Sequence, residues 1–165
     1  MFKGGQFQIS FGMIFSLIII AATLAVAGYM IVKFMNTGDS VLCAKFKESL
    51  QKSIDDAWRS DGASIDTRKE LLPSLPGDVK EVCFGNSTQL PLASKDRGTY
   101  EYLQEYFLPG KNLYLTPSTS CKGDFSYTLK HATSQGFFCA PVIKGRASIL
   151  ILKENTDALV HLSPL

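Results

Sequence analysis

A chain of 165 residues with 45% hydrophobic content leaves room for one modest domain once its apolar N-terminal stretch is set aside. From Thr37 onward 15 Lys and Arg balance 15 Asp and Glu, so the formal net charge of +2 comes from Lys3 and Lys33. That balance gives no electrostatic reason to expect nucleic acid or an acidic surface as partner.

Three segments are expected: 1–8, a short N-terminal signal or cytoplasmic piece; 9–35, a transmembrane or filament-core helix; and 36–165, an extracytoplasmic domain. In the second, Phe11 to Val32 form an uncharged block of 22 residues, which as a helix spans roughly 33 Å, enough for a bilayer core. The rest of the chain is too small to wrap a helix that is apolar on every face. Lys3 and the terminal amine on one side face Lys33, Lys45 and Lys47 on the other, so the charge rule does not set the orientation. Cysteines and a glycosylation sequon further on place the N-terminus in the cytoplasm and the domain outside. Ala25-Val26-Ala27 before Gly28 also fits a signal-peptidase site, but apolar residues continue through Tyr29-Met30-Ile31-Val32. Ala21, Ala25 and Gly28 share one helical face, which reads either as the ordinary Ala and Gly content of a membrane helix or as a face where another helix can approach closely.

Ahead of the block, Lys3-Gly4-Gly5-Gln6, then Gln8-Ile9-Ser10-Phe11 and an unbroken hydrophobic helix, resembles the class III signal peptide of archaeal type IV pilins and archaellins. In that family a prepilin peptidase cuts just before the hydrophobic stretch, which stays on the mature protein. The resemblance implies that Lys3 is the basic residue, Gly4 or Gly5 the residue before the cut, and Gly5 or Gln6 the new N-terminus. It implies a membrane stage, a prepilin peptidase-like processing enzyme, and self-association through the N-terminal helix.

Asn36-Thr37-Gly38-Asp39-Ser40 reads as a breaker and cap cluster from which a second helix starts. There Leu42, Cys43, Phe46, Leu50, Ile54, Ala57 and Trp58 recur at three- and four-residue spacings, and Asp61-Gly62 ends the helix. Residues 63–78, with "LLPSLPGD", are expected to be a turn-rich connector. Val79–Phe84 and Leu113–Thr116 are short strand candidates. Between them "TYEYLQEYFLPG" predicts a short helix ended by Pro109-Gly110, with Tyr102, Leu103, Tyr106 and Phe107 on one side. Phe125, Tyr127 and Leu129 alternate with Ser126, Thr128 and Lys130, a strand with one wet face. Ala147–Leu152 and Leu159–Leu162, around Glu154-Asn155-Thr156-Asp157, predict a hairpin whose first strand is buried on both faces. The sum is α+β: a long hydrophobic then amphipathic helix followed by a small, mostly antiparallel sheet head. A hydrophobic helix leading into an amphipathic one and then a sheet is also the pilin layout.

Cys43, Cys83, Cys121 and Cys139 are even in number and contain no C-x-x-C, which in an exported chain reads as two disulfides. Three pairings are possible. The apolar neighbours "VCF" and "FFC" favour Cys83–Cys139, leaving Cys43–Cys121. Asn86-Ser87-Thr88 is a glycosylation sequon and points to the same compartment.

Catalytic chemistry finds little footing. His131 and His161 are the only histidines, and no nucleophile-elbow motif accompanies them. Cysteine spacings of 40, 38 and 18 do not match zinc sites, and Asp55, Asp56, Asp61 and Asp66 lack the order of a calcium loop. No metal, cofactor or enzymatic activity is expected. Tyr100, Tyr102, Tyr106, Phe107 and Tyr114 read as half-buried core rather than a contact surface. The expected function is a pilin-like single-pass surface protein, either a filament subunit or a membrane-anchored minor pilin. The alternative is a bitopic or secreted binding module of unknown ligand.

Overall fold

The computed structural model describes residues 11–69 and 72–165, leaving aside the side chains of 34–37. Lys3, Gly4, Gly5 and Gln6 lie outside the described residues. The chain divides into two compact units, the residues up to Gly38 and Asp39–Leu165. It has the α+β composition expected: one long helix, then mostly antiparallel strands.

Helix α1 runs Phe11–Trp58 as one element, so the expected break at Asn36-Thr37-Gly38-Asp39-Ser40 does not occur. These residues are mediocre helix formers, but each costs under about 1 kcal/mol and none is proline, so propagation from both sides carries the helix through. The buried stripe of its last five turns is Cys43, Phe46, Leu50, Ile54 and Ala57, all at most 1% exposed. Leu42 and Trp58, expected on the same stripe, lie at its edges and are partly exposed.

Among the described residues nine strands follow: β1 (Ala63–Asp66), β2 (Glu81–Phe84), β3 (Leu113–Thr116), β4 (Ser126–Tyr127), β5 (Ala132–Ser134), β6 (Phe138–Ile143), β7 (Arg146–Ala147), β8 (Ile149–Lys153) and β9 (Val160–Pro164). They form two sheets, β1-β8-β9-β5 and β4-β3-β2-β6-β7. Every pair is antiparallel except β5 with β9. The stretch expected to be only a connector therefore contains a strand: β1 pairs with β8, Ile65 opposite Ile151. The β8–β9 hairpin forms as expected, but β8 is fully buried on one face only, with Ile149, Ile151 and Lys153 inward and Leu150 and Leu152 half-buried. Its inward cation is satisfied at the turn, where Lys153 Nζ donates to the carbonyls of Glu154 and Asp157.

Strands β2 and β3 and the first half of β6, Phe138-Cys139-Ala140, are buried on both faces because two clusters sandwich them. Val82, Phe84, Leu113, Leu115, Phe138 and Ala140 face the main core, shared with the buried stripe of α1 and with Ile149, Ile151, Val160 and Leu162. On the other face Cys83, Tyr114 and Cys139 meet Tyr100, Leu103 and Phe137. Tyr100 and Leu103 come from α2 (Arg97–Leu103), the short helix expected within "TYEYLQEYFLPG". Its inner face is Tyr100 and Leu103, with Phe107 half-buried beyond it; Tyr102 turns outward at 41% exposure. Continuous apolar triplets such as Val82-Cys83-Phe84 and Leu113-Tyr114-Leu115 follow from this double burial.

Candidate functional site

The first unit consists of exposed apolar surface. Every residue from Phe11 to Lys33 is exposed, and the large apolar side chains from Phe11 to Val32 are 45–83% exposed. Fourteen such side chains are involved, and at about 1.5–3 kcal/mol each their burial is worth on the order of 20–40 kcal/mol. That exceeds the whole net stability of an ordinary domain, about 5–15 kcal/mol. Water is the wrong solvent for this segment.

The segment's polar groups suit an apolar one. Ser16 Oγ donates to Gly12 O at 2.6 Å and Thr23 Oγ1 to Ile20 O at 2.9 Å, so both hydroxyls are satisfied within the helix. Ala21, Ala25 and Gly28 are exposed, and a Cβ added at Gly28 would meet no atom within 4 Å. Among the described residues, one helix is long and apolar enough to cross a membrane, and this is it.

In the second unit the structure joins Cys43 to Cys121 and Cys83 to Cys139. The first ties α1 to the loop before β4. The second links directly opposed residues of β2 and β6. Glu81, Cys83 and Cys139 are the one cluster of potential metal-ligating residues among those described. With both sulfurs in a disulfide, no thiolate remains there for a metal.

Each imidazole is paired with a carboxylate, and neither is hydrogen-bonded to a hydroxyl or thiol among the described residues. His131 Nδ1 lies 3.2 Å from Asp55 Oδ1, and its ring stacks on Trp58 with centroids 3.8 Å apart. His161 Nε2 lies 3.5 Å from Asp157 Oδ2, while its Nδ1 is buried without a hydrogen-bond partner. The His131 group is part of a clamp on the end of α1. Gln51 receives the Lys130 N–H at 2.9 Å and donates to Lys130 O at 3.1 Å, and Trp58 Nε1 donates to Ala158 O at 3.1 Å. These side chain-to-backbone pairs, 79 to 100 residues apart, leave no sequence pattern.

Desolvation pushes the Asp55 carboxyl up. Hydrogen bonds from His131 and Gln51, with the nearby charges of His131 and Arg59, outweigh it and hold the group below the ordinary carboxylate value. A carboxyl with a lowered folded-state pKa contributes stability above its unfolded pKa, and that contribution is lost as pH falls through the folded value. Thermal unfolding followed from about pH 6 to pH 2 should therefore fall less steeply in Asp55→Asn than in the wild type. Parallel curves would show that the clamp adds no acid sensitivity.

Asp66 is held by the Arg68 guanidinium at 2.7 Å, in a different element from Asp55. An open trough beside α1 is lined by Lys47, Lys52 and Arg59 against Glu48, Asp55, Asp56 and Asp124, a mixture of interspersed charges that selects neither anion nor cation. Of the aromatic group, Tyr100 and Tyr114 are buried, Tyr106 and Phe107 half-buried and Tyr102 exposed, its hydroxyl receiving the Ser118 N–H at 3.1 Å.

Compared with protein-family models, with curated proteins and with solved structures, the chain matches none.

Proposed function

We propose that this chain is a pilin-like single-pass surface protein whose apolar helix anchors it in the membrane and packs against copies of itself as a filament core. The observation that carries this reading is the exposed apolar surface from Phe11 to Val32, in the same helix that supplies Cys43, Phe46, Leu50 and Ile54 to the core of the second unit. A cleaved leader has no need to be continuous with a structural helix of the mature domain. Two disulfides support placing residues 39–165 outside the cytoplasm, where thiols oxidise and stay oxidised. Processing at Lys3-Gly4-Gly5-Gln6 by a prepilin peptidase-like enzyme would leave the apolar helix intact on the mature protein.

Ala25 separates a filament core from a lone anchor. Leucine there fits lipid well, but on a face shared with Ala21 and Gly28 it forces neighbouring helices apart. Electron microscopy of surface preparations should show filaments for the wild type, and none or few for Ala25→Leu at equal membrane content. Unchanged filaments would refute close packing at this face. Absence of wild-type filaments under all conditions would leave the anchor without the assembly.

A further inference from the structure

We propose that Asn86 carries an N-linked glycan, an inference that rests on the extracytoplasmic placement of residues 39–165. The loop that holds it is built to present it. Strand β2 ends at Phe84, and Gly85 turns the chain with φ +129, where an added Cβ would meet Phe137 Cα and Gln89 Oε1 at 3.0 Å. Beyond that turn Asn86, Ser87 and Thr88 are all exposed. Their backbone is pinned from behind: Asn86 N–H donates to Gln89 Oε1 at 3.0 Å, Gln89 Nε2 to Ser134 O at 2.7 Å, and Tyr100 Oη to Ser87 O at 3.0 Å.

The side chain is oriented as well. Thr88 donates to Asn86 Oδ1 through its backbone N–H at 3.0 Å and its hydroxyl at 2.7 Å. Among the described residues no atom takes a hydrogen bond from Nδ2, and the residue is exposed. Hydrogen bonds to Oδ1 withdraw charge from the amide and make its N–H easier to deprotonate. The other asparagines differ: Asn36, Asn112 and Asn155 lack Ser or Thr two residues on, and Asn112 spends both amide atoms on Leu129.

The donor class is a sugar on a polyprenyl phosphate or diphosphate, presented by a membrane-bound transferase. Nδ2 attacks the anomeric carbon and forms the N–C bond as the C–O bond to phosphate breaks. The lipid phosphate leaves with the electron pair, and the Nδ2 proton passes to a base of the transferase. No oxidant or reductant is needed.

The test uses full-length protein from its host membranes, alkylated without reduction, then reduced, digested with trypsin and mapped by mass spectrometry. Asn86 is the single asparagine of the tryptic peptide 81–95. A sugar mass on that peptide, lost in Asn86→Gln and Thr88→Ala but kept in Ser87→Ala, is the expected result. An unmodified peptide from protein whose cysteines resist alkylation overturns the glycan and leaves the placement standing. Free, alkylated cysteines overturn the placement and the glycan with it. A sugar mass that persists in Asn86→Gln assigns it to a hydroxyl and also overturns the proposal.

Discussion

Replacing Cys43 and Cys121 together by alanine is expected to destabilise the second unit by about 4.5 kcal/mol, the loop-closure value for a bridge across 78 residues. Both cysteines are 1% exposed within the main core, so the alanines also lose apolar contact. The bridge fastens α1 to a loop in which Cys121 and Lys122 adopt left-handed backbone with φ of 54° and 61°. Non-glycine residues occupy that region at a cost, and only surrounding structure holds them there. Against a total of about 5–15 kcal/mol, the loss should show as a large fall in melting temperature, read by circular dichroism in detergent. A double variant melting within a degree or two of the wild type would mean that the helix docks without the bridge.

Leu50→Ala is expected to cost about 2–5 kcal/mol by removing buried methyl groups and leaving a cavity. Leu50 is 0% exposed, between Phe46 and Ile54 on the stripe that packs into the core shared by both sheets. Leu42→Ala, at a site 37% exposed, should cost under about 1 kcal/mol. Equilibrium denaturation of the two variants compares one face of the helix with its edge. Equal losses would contradict the packing described for α1.

The three- and four-residue spacing of Cys43, Phe46, Leu50, Ile54 and Ala57 was legible because a helix buries one face and the period follows from its geometry. Leu113–Thr116 was legible for a similar reason, as an apolar run bounded by polar residues. β1 was not, because Ala63-Ser64-Ile65-Asp66 has little strand character of its own and exists as a partner for β8. β5 escaped in the same way: Ala132-Thr133-Ser134 lies in a polar stretch and is recruited, in parallel, by β9. The breaker cluster at 36–40 misled because helix propensity is a weak local term against propagation from both sides. The Asn86 sequon was visible as three letters; Gly85, Gln89 and Tyr100, which hold its loop, were not.

The central claim is that the apolar helix stays on the mature protein as its membrane and assembly segment. The intact mass of the protein isolated from its host surface tests this most directly. The account predicts a chain that retains Phe11 through Val32, either whole or shortened only by the few residues up to Gly4 or Gly5. A mature protein beginning at Gly28, having lost residues 1–27 after Ala25-Val26-Ala27, would contradict it.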